Sequence, residues 1–329
     1  MKKFFKNNYR FILSLIIILL VLNIRFPYYI DAPGGISDIS KKIEINGYES
    51  KGSFNLAYVR EYKATISTLL ISLINKDWKV LKSEDVLLDT ENDKSYELRD
   101  KILMESSISD AIYVAYTKAN KEIKVLNNKL VVTYISSDAD TNLLVGDEII
   151  SVNGKDVSSK KEISSIISEL NIGDKVTIKV SNSGKEYDRY AYIIDSYGNK
   201  KIEVLISNVR EYQTNPEVVV NTDSNESGSS GGLITALSIY NSLTKEDITK
   251  GLTIVGTGTI DEEGNVGSIG GVEYKLKSAV KAKADLFIVP NDENYDEAIK
   301  LKEDNNYKID IVGVSTFDEV LDYLKNVMN

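Results

Sequence analysis

Histidine and cysteine are both absent from the 329 residues. Those absences exclude a Ser-His-Asp triad, a Cys-His dyad, thiolate chemistry, disulfides and the usual zinc ligand sets. A serine nucleophile in this chain would need Lys, Asp, Glu or a terminal amine as its base, and the Ser-Lys arrangement is the variant that fits. No Gly-x-x-x-x-Gly-Lys-Ser/Thr and no Gly-x-Gly-x-x-Gly occurs, so neither a nucleotide nor any other cofactor or metal is expected. Repeats and low-complexity tracts are missing too, which leaves little support for a structural surface protein. Net charge is −9 with 27% charged residues. That balance describes a soluble body and argues against nucleic acid as a partner.

The N-terminus breaks the pattern. Lys2, Lys3, Lys6 and Arg10 stand without an acid, and Phe11 to Leu22 is then apolar apart from Ser14, with Ile24 extending it. As a helix, about 14 residues at ~1.5 Å each cover roughly 21 Å, short of a ~30 Å hydrocarbon core. Phe26, Tyr28, Tyr29 and Ile30 are expected to complete the crossing or sit at the outer interface. A cleaved signal peptide competes, because the apolar length suits one; the lack of a prompt Ala-x-Ala-like site favours an uncleaved anchor. The expectation is a basic cytoplasmic tail over 1–10, a single-pass transmembrane helix over 11–30 in the cell membrane, and extracytoplasmic C-terminal domains.

Residues 31–120 read as a mixed α/β segment packing on the domain further along. Ile43–Ile45 and Phe54–Val59 look like strands around a turn at Asn46-Gly47. Thr65 to Ile74 and Tyr96 to Lys118 have helical spacing, the second with a stripe of Met104, Ile108, Ala111, Ile112 and Ala115. The charges between Lys82 and Lys101 read as a solvated linker and helix start.

From 121 to 195 the pattern becomes β-rich. Glu122–Leu126 and Leu130–Ile135 alternate as strands. Gly146-Asp147-Glu148-Ile149-Ile150-Ser151-Val152-Asn153-Gly154 is a strand closed by an Asn-Gly turn. A helix over Ser159–Leu170 (Ile163, Ile166, Ile167 and Leu170 on one face) and a strand over Val176–Val180 follow. The Gly-Asp-x-Ile-x-x-Val-Asn-Gly string resembles a PDZ domain, which implies capture of an extended peptide at a sheet edge.

Residues 196–329 read as α/β. Val218–Val220 leads into Ser227-Gly228-Ser229-Ser230-Gly231-Gly232, which opens into the apolar run from Leu233 to Tyr240. A serine there sits at a helix N-terminus, where free N–H groups and the dipole favour an oxyanion; an ordinary N-cap would look the same. The strand Leu252–Ile260 contains Thr257, the turn Asp261–Gly264 follows, and Gly270-Gly271 opens a helix carrying Lys275.

This combination resembles the proteolytic domain of Lon proteases, and the whole chain resembles its membrane-anchored, PDZ-containing bacterial relatives without an ATPase module. The family loop Gly-Pro-Ser-Ala-Gly is matched by Gly228-Ser229-Ser230-Gly231-Gly232, which places the nucleophile at Ser230. The family lysine follows a Gly-Gly pair by four residues and lands on Lys275. The family's Thr-Gly, whose threonine lies close to the dyad, lands on Thr257-Gly258. Ser229 and Gly231 depart from Pro and Ala, which loosens the loop and puts a second hydroxyl beside the nucleophile. Many Lon proteases have an acid where this chain has Ser227; Glu226 is one position off.

The resemblance implies an α/β Lon-type proteolytic domain plus a PDZ domain behind the N-terminal helix. It implies an ATP-independent, membrane-tethered serine endopeptidase for peptides or unfolded and secreted proteins, with the PDZ unit selecting substrate and with homo-oligomeric assembly. A catalytically inactive PDZ scaffold at the cell surface is the alternative. Lys275 can serve as base only when neutral, so burial must push its pKa down from about 10.4.

Overall fold

The computed structural model describes the backbone from Lys2 to Asn326 and side chains from Asn7 onward. Its larger sheet has six strands in the order Asp310–Val314, Leu286–Pro290, Thr253–Gly256, Ser53–Thr65, Arg25–Asp38 and Lys79–Lys82. The first four run parallel, and the last two are added antiparallel. The segment 31–120 packs on the domain further along through residues such as Ala111 and Val114, and it also supplies strands to the same sheet. Ile43–Ile45 does not form a hairpin with Ser53–Thr65; it pairs with Val218–Val220.

Central parallel strands are covered on both faces, so they read as apolar runs without alternation, and Leu286–Pro290 is buried at every position. Phe54, Ile254, Leu286 and Ile288 turn to one face, where they meet Leu233, Leu237 and Ile239 of the helix Gly232–Leu243. Ala57, Val255, Phe287 and Val289 turn to the other, against Val272, Leu276 and Ala279 of the helix Val272–Lys281. The serine helix and the lysine helix therefore lie on opposite faces. The serine helix is buried nearly all round, as a helix apolar on every side must be.

The long helix runs Asp93–Lys118, opened by a capping box on Asn92. It packs on the serine helix with one side and on the strands Glu122–Ile135 and Val204–Asn215 with the other. Ala111 and Ala115 of the expected stripe are buried and Met104, Ile108 and Ile112 only partly so, while Ser107, Val114 and Tyr116 are buried outside it, which reflects those two neighbours.

The second sheet is ordered Val204–Asn215, Glu122–Ile135, Glu148–Val152, Lys175–Asn182 and Lys185–Tyr192. Glu122–Ile135 is one continuous strand, and Val204–Asn215 pairs along its whole length. This sheet therefore extends beyond residue 195. Asn153 and Gly154 both have positive φ, 49° and 76°, the geometry a two-residue type I′ hairpin requires. The helix Lys160–Ser168, capped by Ser159, closes the core with Ile163 and Ile167.

At the N-terminus the expected span of 11–30 is corrected. The helix runs Lys2–Leu22 and the chain is a β-strand from Arg25. Tyr29 and Ile30 are buried at 5% and 0% exposure, because they face the protein core and not a bilayer. Among the described residues, no helix is long and apolar enough to cross a membrane.

Candidate active site

Thr257 follows the strand Thr253–Gly256 at its carboxyl end, where open α/β sheets place their sites. The helices from the two faces converge there. Gly258 N–H donates to the Ser230 carbonyl at 2.8 Å, and Leu233 N–H donates to the Gly258 carbonyl at 3.1 Å. These two bonds clamp the serine turn to the strand end.

Lys275 comes from the opposite face. Gly271 precedes its helix at φ +72°, a left-handed entry that turns the chain into the first helical residue at little cost only for glycine. Lys275 is 3% exposed and Thr257 is fully buried. Lys275 Nζ donates to Thr257 Oγ1 at 3.0 Å, and Thr257 Oγ1 donates to the Ser230 carbonyl at 3.1 Å. Thr257 has one hydroxyl proton and commits it to Ser230, so toward Lys275 it can only accept. Burial alone lowers the lysine pKa from 10.5 to about 7. An amine kept this dry is roughly half neutral at pH 7, which a solvated lysine never is.

The residues singled out by sequence are thus distributed as follows. Thr257, Lys275 and the Ser230 backbone meet in one hydrogen-bonded chain. Gly231 caps the serine helix, and a Cβ there would touch Leu56 at 3.0 Å. The Ser229 carbonyl accepts from Gly232 N–H at 3.2 Å and from Ser107 Oγ at 2.9 Å. Glu226 is turned away into an ion pair with Lys42. Among the described residues, no acceptor takes up the N–H groups of Ser230 and Gly231, between the bonded amides of Gly228 and Gly232. They open the helix N-terminus, where a developing oxyanion is stabilised.

Sequence reasoning missed the support from the long helix. Ser107 holds the loop from one point, and the Asp100 carbonyl accepts from Gly228 N–H at 2.9 Å from another. A Cβ on Gly232 would collide with Ser107 Oγ and come within 2.9 Å of Ile260 Cγ2, so glycine is required by that close approach. Ser107 lies outside the stripe read from the sequence, so no local signal marks it. No group of His, Cys, Asp and Glu among the described residues could hold a metal.

The site thus sets a serine turn at a helix N-terminus near a desolvated lysine, with a threonine between them. Comparison with known proteins gives the family of each part. Residues 194–326 match the Lon protease (S16) C-terminal proteolytic domain, and residues 111–188 match the PDZ domain. The chain carries a Lon-type proteolytic domain and a PDZ domain.

Among curated relatives, a Lon protease of Aster yellows witches'-broom phytoplasma is 24% identical over 326 residues, covering 91% of this chain and 38% of the relative. An archaeal Lon protease of Archaeoglobus fulgidus is 26% identical over 235 residues, covering 68% and 36%. The chain thus spans little more than a third of these relatives. A solved PDZ domain of an SdrC-like protein from Listeria monocytogenes is 24% identical, covering 25% of this chain and 92% of that one at a TM-score of 0.23.

Proposed function

We propose that this chain is an ATP-independent serine endopeptidase with Ser230 as nucleophile and Lys275 as general base. The observation that carries the reading is the buried Lys275, its pKa drawn to about 7 and its Nζ fixed on Thr257. Neutral Lys275 takes the Ser230 hydroxyl proton as the oxygen attacks the scissile carbonyl. The resulting oxyanion is held by the N–H groups of Ser230 and Gly231 at the start of the serine helix. The Lys275 ammonium then gives its proton to the departing amine, and water, deprotonated by the same lysine, releases the acyl group. Thr257 is a positioning residue that aims the amine.

The PDZ domain selects polypeptide substrate, and the chain is held at a membrane by the apolar run Phe11–Leu22. Twelve helical residues are roughly 18 Å at ~1.5 Å each, enough to enter a bilayer. Phe11 and Leu13 are 69% and 53% exposed, and Leu15 to Val21 lie between 43% and 66%. That is a surface the rest of the protein does not cover.

The test is cleavage of an unstructured polypeptide by the full chain and by Ser230→Ala, Ser229→Ala and Lys275→Ala. Loss with Ser230→Ala and Lys275→Ala but not Ser229→Ala is expected. An inert parent chain, folded and tried on several polypeptides, would instead favour a PDZ scaffold. Membrane attachment is read separately, by flotation of the full chain with lipid vesicles.

A further inference from the structure

The helix Ile66–Ile74 contains no charged residue and buries none of its nine. Leu70, Ile71, Leu73 and Ile74 are 55%, 42%, 82% and 84% exposed, and Val80 just beyond is 41% exposed. A soluble surface rarely leaves such a contiguous apolar patch without a partner.

Its place in the fold indicates which partner. Thr65, the N-cap of this helix, lies directly opposite Arg25 in the antiparallel pair. Only Asn23 and Ile24 separate Arg25 from the end of the N-terminal helix at Leu22. Two extended residues reach roughly 7 Å, and the N-terminal helix touches Ile66–Ile74. The helix Ile66–Ile74 therefore lies beside the end of the N-terminal apolar run.

The rim has matching chemistry. Residues 66–82 carry Lys76, Lys79 and Lys82 against Asp77, in a chain of net charge −9, with Lys82 paired to Glu84 at 2.8 Å. Asp77 is itself held by Lys277 of the lysine helix at 3.0 Å. Trp78 is the sole tryptophan and stacks on Tyr62 with ring centroids 5.5 Å apart. Exposed aliphatics bordered by lysines and by stacked Trp and Tyr are the composition of a headgroup layer contact.

We propose that the helix Ile66–Ile74 is a second membrane contact, lying in the interfacial layer of an anionic bilayer and seating the protease body against it. The proposal rests on the membrane-attached reading above, and its test separates the two. The full chain is reconstituted with phosphatidylcholine–phosphatidylglycerol vesicles whose acyl chains are brominated near the headgroup. Flotation reports attachment, and Trp78 emission reports the seat.

The expected result is a chain that floats and loses Trp78 emission relative to unbrominated vesicles. The double variant Leu73→Asp, Ile74→Asp should still float through the N-terminal helix but recover its emission. Both positions are solvent-facing, so the fold is retained, which circular dichroism checks. A floating chain whose Trp78 emission is the same in both lipids overturns the seat and leaves attachment standing. A chain that does not float overturns both. Because the chain has no cysteine, Leu73→Cys gives a clean third readout. Disulfide-linked pairs of that variant, without quenching in the parent, would assign this face to a second copy and overturn the proposal.

Discussion

Replacing Lys275 with methionine should stabilise the fold below neutral pH while abolishing hydrolysis. Burial takes the lysine from 10.5 to about 7, and that difference corresponds to ~5 kcal/mol at 1.36 kcal/mol per pKa unit. Between those values the unfolded chain binds a proton that the folded chain gives up. Stability therefore rises with pH from about 7 to about 10.5, and falls as pH drops toward 7. The methionine chain lacks this dependence and fills nearly the same volume. The gap between the two proteins should be largest at about pH 6 and smaller by ~2 kcal/mol at about pH 8.5, the rest closing above that. Packing differences between Lys and Met do not vary with pH, so the change in the gap isolates the amine. Urea unfolding of both proteins at the two pH values measures it. A gap that stays constant would mean that Lys275 is charged and solvated, and the proposed base would be lost with it.

Other consequences are as specific. Thr257→Val removes the acceptor for Lys275 and the donor to Ser230, leaving a buried amine unsatisfied; a loss of ~1–3 kcal/mol is expected by urea unfolding, with a larger fall in kcat than in KM. Arg210 in Val204–Asn215 bridges Asp110 of the long helix at 3.0 Å and Glu262 of the turn after Thr259-Ile260. Breaking such a pair from one side costs about 3 kcal/mol. Burial raises Asp110 to about 6, so the loss in Arg210→Met should be greatest above pH 6 and shrink as Asp110 protonates, read by thermal unfolding across pH. Gly232→Ala has no room beside Ser107 and should destabilise by roughly 1–3 kcal/mol, whereas Ser107→Gly in the same chain should restore part of it.

Local rules made most elements legible. The Asn153-Gly154 turn, the Ser159 cap and the buried run Leu286–Val289 each announce themselves within a few residues. A family pattern singled out Ser230, Thr257 and Lys275 together; nothing local says that residues 18 apart, Thr257 and Lys275, share a hydrogen bond. What stayed hidden was non-local. The partner of Ile43–Ile45 is Val218–Val220, across the whole PDZ unit, and no turn signal encodes that. Tyr29 and Ile30 are apolar whether they face lipid or a sheet, so hydropathy extended the N-terminal helix into the strand Arg25–Asp38. Ser107 fell outside the expected apolar stripe because the long helix has two packing partners, and a single amphipathic period cannot express two.

If Lys275 activates Ser230, covalent labelling of the serine must follow the protonation of the lysine. The full chain is treated with a fluorophosphonate, which reacts with activated serine hydroxyls, across about pH 5.5 to 8.5, and the adduct is located by mass spectrometry. One adduct is expected, at Ser230, forming about tenfold faster at pH 8 than at pH 6, with half-maximal rate near the lysine's value of about 7 and no labelling in Lys275→Ala. An adduct at Ser229, or a rate at Ser230 that Lys275→Ala leaves unchanged, would contradict activation by Lys275.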